Sequence, residues 1–247
     1  MKKLIVIEGP DRIGKTSLVA GLISTGIIYK FFNFPEKIRK DPVSILMNRM
    51  LTEPEFHNTD PSFKSLLFSV DRLRAKNELI QAIYSSDSPE CPIILCDRYT
   101  YSNIAYQIGL NVLKKGHAGK TWEELKTEAD GIGNLVRYVE FHLMEMPRPD
   151  LTICLTSGNS DYFSMIPKER TTTEDDLNDS CIDLQKFINR FFKSEHSVVD
   201  QFNISFWSNE QRMTVDVLSP GSMNFRSKDE ILNSVIAGLW SRGFLKR

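Results

Sequence analysis

The stretch Leu4-Ile5-Val6-Ile7-Glu8-Gly9-Pro10-Asp11-Arg12-Ile13-Gly14-Lys15-Thr16-Ser17 decides how this chain is read. Four aliphatic residues make a short buried strand. Gly9 to Thr16 then match G-x-x-x-x-G-K-[ST], and helix-forming residues follow. Glycines at those positions let successive backbone N–H groups turn inward around a phosphate, while the helix behind points its positive end at the same anion. Lys15 is placed to reach phosphate oxygens, and the Thr16 hydroxyl to ligate Mg²⁺.

Working outward, four more short β-branched runs recur along the chain: Ile27–Phe32, Ile93–Cys96, Leu151–Leu155 and Met213–Val217. Like Leu4–Ile7 they are largely apolar runs rather than strict alternations, as expected of strands buried on both faces of a parallel sheet. Helical patterns separate them: Pro61–Tyr84, Leu177–Val199, Lys228–Trp240 and Thr121–Met146, the last weakened by Gly131 and Gly133. Alternating strands and helices imply a three-layer α/β fold, in which ligands collect at the carboxyl ends of the strands. No repeat or linker divides the chain, so residues 1–247 read as a single domain.

Composition sets outer bounds. The chain has 31 basic and 32 acidic residues and a net charge of −1, which argues against a nucleic-acid partner or an acidic membrane surface. Cys91, Cys96, Cys154 and Cys181 show no metal-ligand spacing, and Cys96 and Cys154 read as small core residues. Lys2 and Lys3 precede too few aliphatic residues for a secretory leader, and no run approaches a membrane span. The expected setting is cytoplasmic, or nuclear, with reduced thiols.

Two charged pairs stand at predicted strand ends. Asp11 and Arg12 sit inside the phosphate loop: Arg12 is close enough to neutralise a transferring phosphoryl group, and Asp11 suits a sugar hydroxyl. Asp97 ends the third run where a phosphate-loop fold organises Mg²⁺, and Arg98 follows it. A motor would usually carry a glutamate there to activate water, and no Asn-Lys-x-Asp guanine element is present. The cation suggests an anionic nucleophile, hence a kinase whose acceptor already bears a phosphate. Such an acceptor is largely dianionic at neutral pH and needs no general base.

Further on, Phe34-Pro35-Glu36-Lys37 places a cation after the second run. Phe68 and Arg72 lie at i, i+4 on one helix face. Periodicity alone reads them as a core residue and a solvated charge. The same pair could stack a base and donate to the O4 acceptor that thymine carries and cytosine lacks.

These pieces together resemble the thymidylate kinase family. The resemblance rests on the Gly9–Thr16 loop with Asp11-Arg12, Phe34-Pro35-Glu36, Leu66–Phe68 with Arg72, Asp97-Arg98-Tyr99 with Ser102, and Pro149-Asp150-Leu151. It implies a phosphate-loop fold on a five-stranded parallel sheet, a homodimer, and Mg-ATP-dependent phosphorylation of dTMP. Gly9, Asp11, Arg12, Ile13, Gly14, Lys15, Thr16 and Ser17 would bind ATP, with Arg170 as a lid contact. Thr16 and Asp97 would hold the metal. Arg12, Lys15, Asp97 and Arg98 would be catalytic. Asp11, Phe34, Lys37, Phe68, Arg72, Arg98 and Ser102 would bind dTMP, and Tyr106 would crowd the sugar 2′ position, although it equally fits a core tyrosine.

Three departures leave room for another pyrimidine nucleotide or a deoxynucleoside, whose base would be sought at Glu8 or Glu36. Lys37 replaces the family's arginine and loses its bidentate fork. The lid, near residues 157–176, keeps Glu169-Arg170 but lacks the following tyrosine and an earlier arginine. The span from Asp97 to Asp150 is long, which points to an insertion within residues 109–146.

Overall fold

A computed structural model describes residues 1–36, 41–56, 59–116, 122–159, 161–165, 181–193, 212–219 and 224–245. Its strands are β1 (Lys3–Glu8), β2 (Ile28–Asn33), β3 (Ile93–Asp97), β4 (Leu151–Thr156) and β5 (Arg212–Asp216). They form one five-stranded parallel sheet in the order β2-β3-β1-β4-β5. Each begins and ends within one residue of the expected run; the inner strands β1, β3 and β4 are buried almost throughout, while the edge strands β2 and β5 keep exposed positions. The register aligns Ile7 with Asp97 and Glu8 with Cys154, so the ends of β1, β3 and β4 share one edge.

The main helices are α1 (Lys15–Ser24), α2 (Pro42–Thr52), α3 (Pro61–Tyr84), α4 (Thr100–Gly116), α5 (Trp122–Tyr138), the four-residue α6 (Tyr162–Met165), α7 (Ile182–Lys193) and α8 (Lys228–Ser241). Alternate residues of β1 separate the layers. Ile5 and Ile7 pack with Leu18 and Leu22 of α1 and Val235 and Leu239 of α8. Leu4 and Val6 face Ala75 and Leu79 of α3. On that second side, Ile104 and Ile108 of α4 join Ile132 and Val136 of α5 and Leu184 and Ile188 of α7.

Local signals set the helix ends. The Asp60 carboxylate accepts from Ser62 N (2.8 Å), and Pro61 occupies the first turn, so α3 starts where the sequence predicts. Ser227 and Glu230 cap α8 reciprocally. The expected helix over residues 121–146 is instead α5 followed by a π turn, Val139–Leu143. The helix passes through Gly131 and Gly133 because buried Ala129, Ile132 and Val136 outweigh roughly 1 kcal/mol per glycine. Of the expected helix over residues 177–199, the described part is α7, Ile182–Lys193, and residues 177–180 and 194–199 lie outside the described residues.

Pro149-Asp150-Leu151 has a structural purpose. Asp150 accepts from Leu4 N (2.9 Å) and from Lys3 Nζ (2.8 Å), and its own N–H donates to Leu4 O (2.8 Å). These bonds lock β4 to β1 in register and so place the two strand ends side by side.

Candidate active site

The loop between β1 and α1 crosses the carboxyl edge of the sheet. Gly9 (φ 144°) and Gly14 (φ 97°) hold backbone conformations that favour glycine. At Gly9 there is a second constraint: a Cβ would lie 2.5 Å from Leu155 O of β4. Lys15 is buried and donates from Nζ to Gly9 O (3.0 Å) and Pro10 O, so its ammonium sits inside the curl of the loop. Thr16 is exposed at the mouth and Ser17 half-buried, while Ile13 anchors the loop in the core.

Two arginines expected to handle phosphate both adopt left-handed backbone, Arg12 (φ 61°) and Arg98 (φ 63°). For a residue with a Cβ that costs about 1 kcal/mol or more and persists only where surrounding bonds enforce it. Arg12 O accepts from Tyr162 OH (2.9 Å), and Arg98 N donates to Ile7 O (2.9 Å). Both bonds pin the turn and leave the guanidinium direction to the side chain.

Asp11 is the hub. Its carboxylate pairs with the Arg98 guanidinium and accepts from Tyr106 OH and from Gln185 Nε2 (3.1 Å), with Lys15 Nζ 3.9 Å away. Its N–H donates to Gln185 Oε1 (2.7 Å). Arg98 also donates to Ser102 Oγ (3.3 Å) and lies 5.0 Å from the Tyr106 ring centre. Loop, β3 end, α4 and α7 thus converge on one carboxylate.

Beneath this cluster, Glu8 is fully buried and accepts from Tyr99 N (3.0 Å), Ser102 N (3.1 Å) and Ser102 Oγ. It caps the start of α4. Burial pushes its pKa up, against those bonds and the Arg98 charge. Asp97 is likewise raised by burial, with Lys15 pulling the other way, and its Oδ1 is buried without a hydrogen-bond partner. An orphaned carboxylate oxygen near Lys15, with the Thr16 hydroxyl at the loop mouth, fits a Mg²⁺ held mainly by nucleotide phosphates.

Known proteins resemble the chain in sequence and in fold. No family model matches the chain. A thymidylate kinase of Limosilactobacillus fermentum is 25% identical over 193 residues, covering 77% of this chain and 79% of that protein. A probable thymidylate kinase of Saccharolobus solfataricus is 33% identical over 112 residues, covering 45% of this chain and 54% of that protein. So the chain spans most of the first relative and about half of the second. The solved thymidylate kinase of Candida albicans has the same fold, with a TM-score of 0.65 at 20% identity, over 98% of this chain and 93% of that one. The chain is thus similar to thymidylate kinases in sequence and in fold.

The residues expected on the acceptor side fall into two groups. Ser102 and Tyr106 stand with Arg98 beside Asp11, as above. Phe34 lies behind them, 2% exposed, with its ring stacked on Phe32 (6.4 Å) and tilted against Tyr99 (5.9 Å). Phe68 is half-buried on α3. Arg72 is buried, and its Nε donates to Glu140 Oε2 (2.9 Å) while Nη2 pairs with Oε1. Burial opposes its charge, yet Glu140 outweighs that and raises the Arg72 pKa. Lys37 and Arg170 lie outside the described residues, as does most of the lid.

Gln185, Glu140 and Asn103 escape the sequence reading. Gln185 joins the site from α7, 174 residues from Asp11, and no local spacing announces it. Glu140 leaves a partial signal, an acid between the apolar Val139 and Phe141. Asn103 is buried one residue after Ser102, with Nδ2 bonded to Ser65 O (2.9 Å) and Oδ1 unpartnered.

Proposed function

We propose that this chain is an ATP-dependent dTMP kinase that moves the γ-phosphoryl group of ATP to the 5′-phosphate of dTMP, giving dTDP and ADP. The observation that carries the reading is the clasp of Arg98 on Asp11. It sets an acceptor-phosphate cation from β3 against the donor loop after β1.

In this mechanism an acceptor phosphate oxygen attacks the γ-phosphorus in line as the bond to the β,γ-bridging oxygen breaks. The loop N–H groups and Lys15 hold the donor phosphates once Lys15 leaves Gly9 O and Pro10 O. Mg²⁺ bound through Asp97 and Thr16 would neutralise phosphate charge. Arg98 holds the acceptor phosphate, Arg12 covers the charge that builds up in transfer, and Asp11 receives the sugar hydroxyl with Tyr106 beside it. Lys37 and Arg170 complete the phosphate contacts in this proposal, and Phe68, Phe34 and Arg72 form the base pocket, with Arg72 donating to thymine O4. Glu8, the carboxylate a nucleoside acceptor would use as base, already accepts three hydrogen bonds in a buried site.

The proposal includes one kinase domain over 1–247, a lid near 157–176 and a cytoplasmic, or nuclear, setting. Among the described residues no helix is long and apolar enough to cross a membrane. It also includes a homodimer. Phe63 (53% exposed), Leu66 and Leu73 form an apolar stripe on α3, with Ile45 of α2 also exposed, a surface suited to a second copy.

The test is ADP release from Mg-ATP with dTMP, dUMP, UMP, CMP, GMP and thymidine offered separately. Selective turnover of dTMP is the expected result. Turnover of another acceptor instead, or ATP binding without turnover, would overturn the reading.

A further inference from the structure

Glu140 sits in the π turn that closes the long excursion between β3 and β4, and it is wholly buried. Its carbonyl accepts from Met146 N (2.8 Å), fixing the turn. Its carboxylate receives Arg72 Nε and Nη2, Ser69 Oγ (2.7 Å), Thr100 Oγ1 (2.6 Å) and Asn103 Nδ2 (3.4 Å). Donors from α3 and from the start of α4 therefore meet on one anion. Single π turns joined to α-helices often mark functional positions, and a buried carboxylate with every oxygen engaged is a rigid one.

The clasp uses the Nε–Nη2 edge of Arg72 and does not use Nη1. A guanidinium held by one edge keeps its plane and aims the other nitrogen in a fixed direction. That rigidity matters for selectivity. A donor held in place gains from an O4 acceptor and opposes an N4 amino group, whereas a donor free to swing would retreat from the amino group and discriminate less.

We infer that Glu140 is a positioning residue for pyrimidine selection: its clasp on Arg72, delivered by the turn that closes the β3–β4 excursion, sets the pose in which Arg72 distinguishes thymine from cytosine. The inference rests on the proposed role of Arg72 at the base. It assigns a purpose to the 109–146 excursion, whose last turn supplies the carboxylate. Thr100 lies two residues after Arg98, so the same anion also ties the base end of the pocket to the phosphate end.

The test is steady-state kinetics of the full chain with Mg-ATP and either dTMP or dCMP, for the natural protein, Arg72→Ala, Glu140→Gln and Thr100→Val. Glu140→Gln keeps the shape but offers one acceptor where five donors converge. It should lower the dTMP-to-dCMP ratio of kcat/KM about tenfold, with the ATP KM within about twofold. Thr100→Val, which removes one of the bonds holding Glu140, should lower the same ratio about two- to threefold. If Glu140→Gln still unfolds cooperatively and keeps the natural ratio while Arg72→Ala collapses it, the inference fails and the role of Arg72 stands. If Arg72→Ala keeps the ratio, the role of Arg72 fails and the inference with it. Should Glu140→Gln not fold, Thr100→Val decides: an unchanged ratio overturns the inference.

Discussion

Arg98 and Asp11 form an ion pair between the end of β3 and the phosphate loop, 87 residues apart in sequence. In the proposed reaction this pair keeps Arg98 within reach of the acceptor phosphate, which can compete with Asp11 for the same guanidinium. Arg98→Ala is therefore expected to lower kcat/KM for dTMP by about 10³, the order seen when one charge-stabilising donor is removed from a transfer site. Stopped or quenched-flow turnover measures it, and near-natural activity would remove Arg98 from the acceptor site.

Phe68 offers a half-buried aromatic face on α3, four residues before Arg72. Stacking of a base on such a ring is worth about 1–3 kcal/mol. Phe68→Ala should raise the KM for dTMP at least about fivefold while kcat changes little, since stacking holds ground state and transition state alike. A loss confined to kcat would contradict the base-stacking role.

What was legible in the sequence divides by range of contact. The inner strands were readable because a parallel strand buried on both faces is apolar along its length, as Ile93-Ile94-Leu95-Cys96 is, whereas the edge strands β2 and β5 carry Lys30 and Thr214 among their apolar residues. The phosphate loop was readable because its chemistry lies within eight consecutive residues. Arg72 drew attention only beside Phe68 and through the family resemblance, and its partner Glu140 lies 68 residues away. Gln185 reaches Asp11 through the path of α7. Long-range polar partners leave no period or spacing, so they emerge only when the topology brings them together.

Gly9 and Gly14 separate two reasons for glycine in one loop. Both hold positive φ, but only at Gly9 would a Cβ meet backbone, at 2.5 Å from Leu155 O. Gly14→Ala is expected to cost about 1–2 kcal/mol, the conformational strain alone. Gly9→Ala should cost at least about 3 kcal/mol, because β4 cannot move without breaking its register on β1. Urea unfolding of the two variants gives the comparison, and equal losses would refute the steric distinction.

The apolar stripe on α3 makes a prediction about assembly. Leu66 is 39% exposed between Phe63 and Leu73 on the same face. Leu66→Glu would place a charge at the middle of a self-complementary contact, where the copy related by the two-fold axis brings the same charge. Sedimentation should show the natural chain at twice 28.4 kDa and the variant near 28.4 kDa. A variant still dimeric would move the contact off α3.

Glu8 supplies the pH dependence. Burial raises its pKa above the ordinary 4.5, against the Ser102 and Tyr99 hydrogen bonds and the Arg98 charge. A carboxyl whose folded pKa is raised binds its proton more tightly in the native than in the unfolded chain. Between about pH 4.5 and the folded value the native state thus holds more protons, and stability falls as pH rises through that window. Glu8→Gln removes this titration while keeping an acceptor for the α4 amides. The stability of the natural protein relative to Glu8→Gln should accordingly be greater near pH 5 than near pH 8, as read by denaturant midpoints at the two values. A relative stability that grows with pH would mean that the hydrogen bonds and Arg98 outweigh burial, placing the Glu8 pKa below its ordinary value and leaving α4 capped by a stabilising anion.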